Sequence, residues 1–210
     1  MTEELEDYIL SHIDKEGESL HKLDRETHLF HLRPRMCSGH LQGRLLKMIV
    51  RMIRPKNILE LGTFTGYSAL SMAEGMDGDG ELHTVEIDDE LEDFIREHLE
   101  KSPYADRIHL HIGDALEIVP QLGLTFDLVF IDADKRRYDD YYNMVFDHVA
   151  HGGFILADNT LWDGKVVDYG KKFDAQTAGI LRFNDLVAAD PRVEKVILPL
   201  RDGLTIIRKI

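Results

Sequence analysis

Acidic side chains recur in this chain at one kind of place, the point where a short apolar run stops. Glu60 lies near the end of NILELG, Glu86 in HTVEID, Asp114 after HIG, Asp132 in VFIDAD, and Asp158 with Asn159 in ILADN. Strands disfavour Asp, and a row of carboxylates repels itself unless cations or hydroxyl donors fill the space between them. Asp132, Asp158 and Asn159 together offer two carboxylates and one amide oxygen. Such hard donors suit Mg²⁺, with Mn²⁺ or Ca²⁺ as alternatives, and three protein ligands leave positions open for water and substrate. By spacing alone, Asp158 and Asn159 read equally well as a polar turn after a strand. Lys135, three positions after Asp132, has two readings. It is a general base if desolvation or a neighbouring cation favours its neutral amine, or a surface cation opening the helical stretch RRYDDYYNMVFDHV.

The ligand these acids face is constrained by Gly62 and Gly66 in GTFTG. Glycine at a strand-to-helix turn lets the backbone come close to a ligand. The spacing is not the G-x-G-x-x-G that seats a pyrophosphate, yet Glu86 stands at the end of the second strand, where an acid holds a ribose hydroxyl. Glu60 would repel a phosphate and suits an amino group. A nucleoside joined to an amino acid meets these demands, and S-adenosylmethionine is the candidate cofactor.

From Asn57 onward NILEL, ELHTVEI, RIHLHIGD, FDLVFIDA and GGFILADN read as strands, each followed by a helical or helix-opening segment. This alternation predicts a mostly parallel α/β sheet covered on both faces. In DDELEDFIREHLEKS, residues Leu91, Phe94, Ile95 and Leu99 are spaced for one buried helix face. RVEKVILPL and LTIIRKI are separated only by Arg201, Asp202 and Gly203, which predicts a hairpin and an antiparallel last strand. EELEDYILSHI, the segment from Glu18 to Phe30, and HLQGRLLKMIVRMI predict three helices ahead of the sheet. With no linker and no repeat, the expectation is one domain over 1–210, with N-terminal helices over 1–55 and the cofactor-binding core over 56–210.

Composition narrows the classes. The chain has 210 residues, 43% hydrophobic and 30% charged, enough for a sizeable core. No run of about 18 apolar residues is present to span a bilayer, and the acidic opening MTEELEDYIL lacks the charge pattern of a secretory signal; the expectation is a cytoplasmic protein. A net charge of −14 disfavours a nucleic-acid partner, despite the cluster Lys135, Arg136 and Arg137. Cys37 is the single cysteine, expected to be a small buried residue. Eleven histidines include His28 with His31 and His109 with His111, but no third ligand marks either pair as a metal site.

The segments ELGTFTGYS, FIDADK and ADNTLWDG resemble, in combination, class I S-adenosylmethionine-dependent methyltransferases of the divalent-metal-dependent O-methyltransferase family, the catechol and caffeoyl-coenzyme A type. The likeness runs from about Arg35 to DGLTIIRKI. It implies a Rossmann-like methyltransferase fold with a seven-stranded, mostly parallel sheet, an antiparallel C-terminal strand and extra N-terminal helices. It implies that Glu60 meets the methionine amino group, that Gly62 and Thr63 give close backbone approach, and that Ser68 caps the other end of that turn. Glu86 would hold the ribose hydroxyls, and Asp114 and Ala115 would border the adenine. Met36 and Ser38 would belong to a cofactor-covering loop, with Asp132 and Asp134 as further cofactor contacts. Asp132, Asp158 and Asn159 would hold the metal, Lys135 would be the base, and Trp162 would wall the acceptor ring. Asp163 stands where the plant enzymes carry a substrate-contacting asparagine. The acceptor implied is a small aromatic with vicinal hydroxyls, and a homodimer is the implied assembly. Two alternatives keep some of these features: methylation of 5-hydroxyuridine in transfer RNA, and a nucleoside-binding module without catalysis.

Overall fold

A computed structural model of the chain describes residues 2–168 and 173–210. Helices α1 (Glu3–Ser11), α2 (Glu18–Phe30) and α3 (Gly39–Ile53) lead into β1 (Asn57–Leu61). The chain then alternates through α4 (Tyr67–Gly75), β2 (Glu81–Glu86), α5 (Glu92–Glu100), β3 (Ile108–Ile112), α6 (Ala115–Leu122) and β4 (Phe126–Ile131). It closes with α7 (Tyr138–His148), β5 (Val149–Asp158), α8 (Ala175–Ala189), β6 (Val193–Leu198) and β7 (Leu204–Lys209).

The strands form one seven-stranded sheet in the order β3-β2-β1-β4-β5-β7-β6. β2 pairs parallel with β3, and β4 pairs parallel with both β1 and β5. β7 runs antiparallel to β5 and to β6. The mostly parallel sheet with an antiparallel last strand is therefore as expected: the connection at 199–203 is too short for a crossover, so β6 must turn straight back. β5 differs from expectation in starting at Val149, ahead of Gly152 and Gly153, and its register against β4 is irregular between Phe126 and Leu128.

The described residues divide into two compact units, one holding the N-terminal residues to Lys56 with Thr63–Gly113, the other Asn57–Gly62 with Asp114–Ile210. In the first, Leu23, Leu46, Val50, Tyr67, Leu70 and Ile95 are buried. α3 and α4 are clamped by Glu74, which takes Arg44 Nη2 at 2.5 Å and Lys47 Nζ at 2.7 Å. On α5 the buried face is Ile95, His98 and Leu99, while Phe94, and Leu91 just ahead of the helix, are half-buried. His98, unexpected there, is tied to Phe94 O and to Glu26 Oε2 at 2.8 Å, so it enters the core with both ring nitrogens occupied, as a buried polar group must. In the second unit, Ile58, Leu59 and Leu61 of β1, Leu128 to Ile131 of β4, and Ile155 to Ala157 of β5 are all buried. Consecutive rather than alternating burial is what parallel strands covered on both faces require.

Candidate active site

The register of β4 on β5 sets the ends of the two strands that carry the proposed oxygen donors next to each other. Ile131 pairs with Ala157, so the next residues, Asp132 and Asp158, leave neighbouring parallel strands side by side. Asp158 is 4% exposed, and its Oδ1 accepts the Asn159 backbone N–H at 2.8 Å. Asn159 has φ 58°, a left-handed conformation that Asn tolerates better than most residues. Asp132 donates its backbone N–H to Leu61 O at 2.9 Å. Its own carbonyl lies so close to Gly62, at φ +95°, that any Cβ there would collide with it. The Gly62 requirement is thus set by the backbone of Asp132, within the protein itself. Among the described residues no group of three or more His, Cys, Asp and Glu side chains could hold a metal. The third donor of the proposed set is an amide, and two carboxylates with one amide fit a hard divalent cation.

Lys135 is not a solvated cation. It is 7% exposed, in the 3-10 turn Lys135–Arg137 that Asp134 caps by accepting the Arg136 N–H. Its Nζ donates to Asp132 Oδ1 at 2.5 Å and to the Tyr138 hydroxyl at 2.8 Å. The other two cations of the cluster are also paired. Arg136 forks onto Asp134, and Arg137 Nη1 meets Asp114 Oδ2 at 2.8 Å. That guanidinium, helped by the Leu116 N–H, holds the Asp114 carboxyl below the usual range. Asp114 caps α6, Ala115 is buried as its first residue, and Glu60 is fully buried in β1 opposite Phe130.

The loop after β5 is pinned by the hairpin at the C-terminus. Thr160 N and Leu161 N donate to Gly203 O and Asp202 O at 3.1 and 2.7 Å, and Thr205 Oγ1 donates to Thr160 Oγ1 at 2.7 Å. Trp162 and Asp163 follow with φ 46° and 53°. The indole Nε1 of Trp162 is buried without a hydrogen-bond partner, and Lys165 Nζ lies 5.5 Å from its ring centre. Asp163 is exposed.

In the other unit, Thr63 is buried and its hydroxyl meets that of Thr84 at 2.5 Å. Phe64 N–H donates to Glu86 Oε2 at 2.7 Å and Asp88 N–H to Oε1 at 3.0 Å. Burial nonetheless raises the Glu86 carboxyl above its ordinary value, with those two backbone bonds opposing the rise. The expected cap at Ser68 is not found: Ser68 is the second residue of α4, and the cap position is Gly66, which has no side chain to offer. Ser68 is instead buried at 6% exposure. Met36 is exposed at the end of the 3-10 turn Pro34–Met36, and Ser38 is buried just before α3. Among residues the sequence did not single out, Thr84 and Tyr138 stand out. Tyr138 had a signal, its i,i+3 spacing from Lys135; the Thr63–Thr84 pair had none.

Known proteins resemble this chain throughout its length. The family profile described as O-methyltransferase matches residues 10–210. Caffeoyl-CoA O-methyltransferase 5 of Nicotiana tabacum is 35% identical over 93% of this chain and 86% of its own. Caffeoyl-CoA O-methyltransferase 1 of Arabidopsis thaliana is 34% identical over 100% and 85%. Among solved structures, an O-methyltransferase from Bacillus cereus in complex with SAH superposes with a TM-score of 0.91 at 28% identity, covering 99% of this chain and 97% of that one. One from Streptomyces achromogenes involved in tomaymycin synthesis, in complex with SAM, also gives 0.91, at 29% identity over 100% and 99%. The chain belongs to the O-methyltransferase family and is an S-adenosylmethionine-dependent enzyme. No helix among the described residues is long and apolar enough to cross a membrane.

Proposed function

We propose that this enzyme moves a methyl group from S-adenosylmethionine to one hydroxyl of a small aromatic acceptor bearing two adjacent hydroxyls, at a site for a divalent cation, Mg²⁺ foremost. The observation that carries this reading is the β4–β5 register, which sets Asp132 beside Asp158 and Asn159 with the buried Lys135 amine against Asp132. The plant relatives are named for caffeoyl-CoA, whose ring carries adjacent hydroxyls. Asp132, Asp158 and Asn159 would hold the cation, which when bound supplies Lewis-acid stabilisation of the acceptor oxygens. Lys135, as the neutral amine, takes the proton of the attacking hydroxyl. The oxygen lone pair bonds to the methyl carbon as the carbon–sulfur bond breaks, leaving S-adenosylhomocysteine.

On the cofactor side, Glu60 takes the methionine amino group, Gly62 and Thr63 give backbone approach, and Glu86 holds the ribose. Asp114 and Ala115 border the adenine, with Met36, Ser38, Ser68, Asp132 and Asp134 as further contacts. Trp162 walls the acceptor ring and Asp163 stands at its rim. The transfer-RNA alternative is less well supported, because all three cations at 135–137 are paired with acids and the net charge is −14; a gel shift with transfer RNA that weakens with salt would favour it. A homodimer in the cytoplasm completes the proposal, and the exposed Leu29, Phe30 and Leu32 suit an interface between copies, which light scattering would detect. The deciding assay is methyl transfer to a catechol panel, with and without EDTA. We expect turnover that chelation abolishes and Mg²⁺ restores; full activity after exhaustive chelation would remove the metal from the reading.

A further inference from the structure

A lysine that abstracts a proton must present its lone pair in one direction, and its four-carbon stem does not do that by itself. The side chain has many rotamers open to it, and reactive groups must be held to within roughly 0.5 Å. Burial of the Lys135 stem restricts it without orienting the amine. Two contacts orient it: Asp132 Oδ1 at 2.5 Å, an oxygen of the proposed cation-holding set, and the Tyr138 hydroxyl oxygen at 2.8 Å from Nζ.

That hydroxyl has only one role open toward the amine. Its single proton faces the backbone carbonyls of Asp158 at 3.1 Å and Ile131 at 3.2 Å, the last residues of β5 and β4. With the proton committed to carbonyls, which cannot donate, the phenol oxygen can only accept from Lys135. The ring cannot swing away. It is 0% exposed and packs edge-on against Phe183 at 5.4 Å. A neutral amine has two N–H bonds to give, and donating one to Asp132 Oδ1 and the other to Tyr138 turns its lone pair away from both.

We propose that Tyr138 is the positioning residue for Lys135: its phenol oxygen, locked as an acceptor by the two strand-end carbonyls, sets the direction in which the amine faces the acceptor hydroxyl. This rests on the assignment of Lys135 as the base. Tyr138 touches neither substrate nor cofactor in this role; it acts through the lysine.

The test is Tyr138→Phe, which keeps the ring and removes the oxygen. We expect kcat to fall about tenfold or more, with acceptor KM and the S-adenosylmethionine Kd measured in EDTA within about twofold of wild type. In a Lys135→Met background the same change should alter kcat by less than about twofold, because the group it orients is gone. A readout without turnover accompanies these: acetic anhydride labelling of Lys135, followed by mass spectrometry, should accelerate several-fold in Tyr138→Phe. Unchanged kcat, equal losses in both backgrounds, a parallel loss of cofactor affinity, or unchanged labelling would each overturn the proposal. Failure of the proposed function is read separately, as absence of methyl transfer by the wild type across the catechol panel, and in that case the labelling comparison still decides the role of Tyr138 toward Lys135.

Discussion

Glu86 and Asp158 are both buried carboxylates, and the different company they keep predicts different losses. Glu86 accepts backbone N–H groups on each oxygen, yet burial raises its carboxyl above the ordinary value. If Glu86 holds the ribose as proposed, its ionised form is the one that accepts from both hydroxyls. Since the neutral form of Glu86 appears at a higher pH than for a solvated glutamate, cofactor affinity should be full well above that point and should weaken as pH is lowered toward it. Isothermal titration in EDTA across acidic pH checks this, and Glu86→Gln should flatten the dependence. Glu86→Ala at neutral pH should cost about 1.5–3 kcal/mol of cofactor affinity for lost charge-assisted hydrogen bonds, and undiminished affinity would remove the ribose assignment. Asp158→Ala, in contrast, should leave cofactor binding in EDTA intact and abolish turnover, with partial recovery at high Mg²⁺ or Mn²⁺, because one carboxylate and one amide no longer offset dehydration of the ion. At Lys135 the contrast is with its neighbour. Lys135→Ala should lower kcat on the order of 10²-fold or more, whereas Arg136→Ala, removing an exposed cation, should change the rate by a small factor only.

The elements that carry these side chains owe their placement to close backbone contacts. α8 packs on the Lys135 turn at Gly179, where an added Cβ would press on the Lys135 carbonyl and lie 2.8 Å from Arg136 Cα. Backbone cannot yield as a flexible side chain can, so Gly179→Ala should destabilise by about 1–3 kcal/mol and lower kcat together with it. Urea denaturation measures the first and initial rates the second. Gln176→Ala, exposed on the same helix, is the control and should stay within about 0.5 kcal/mol. A Gly179→Ala protein with wild-type stability and rate would mean that the turn accommodates the methyl and that α8 does not constrain Lys135. The hairpin of β6 and β7 plays a comparable part for the loop at 159–162, through the bonds to Asp202 and Gly203. Its Asp-Gly pair is legible in the sequence as a turn, but its second task, holding the loop after β5, is not, because the partners lie more than 40 residues earlier in the chain.

For the whole molecule, acid should act through the histidines of β2 and β3. His83 Nδ1 lies 3.1 Å from His111 Nε2, and its ring stacks on His109 at 4.7 Å. Burial first, then His109 and His111, lower the His83 imidazole to about 4, with Glu81 opposing. The unfolded chain protonates this ring near the ordinary 6.5. Between those two values the unfolded state binds more protons than the folded one, so stability should fall as pH drops from about 6.5 toward 4. Urea midpoints across that range should show the slope, and His83→Phe should reduce it. An unchanged slope in the variant would assign the acid sensitivity to other groups. The histidine pairs visible in the sequence included His109 with His111 but not His83, whose strand had to be paired with theirs before the three met.

What the sequence determined by itself is local in origin. Alternation of apolar runs with helical spacing reflects which faces must be buried, so the strands and the order of elements could be read from it. The oxygen chemistry of Asp132, Asp158 and Asn159 is a property of the side chains, readable wherever they stand. The tertiary structure decided what depends on distant partners. Only the β4–β5 register sets Asp132 beside Asp158, and only packing against α7 and α8 turns Lys135 from one residue of a basic run into a buried side chain held by Asp132 and Tyr138. Ser68 is the same lesson in the other direction, since a cap is defined by where the helix begins, and Gly66 begins it one residue before Tyr67. Side-chain type constrains which chemistry is available, but orientation comes from contacts between residues far apart in the chain, and those exist only once the sheet has formed.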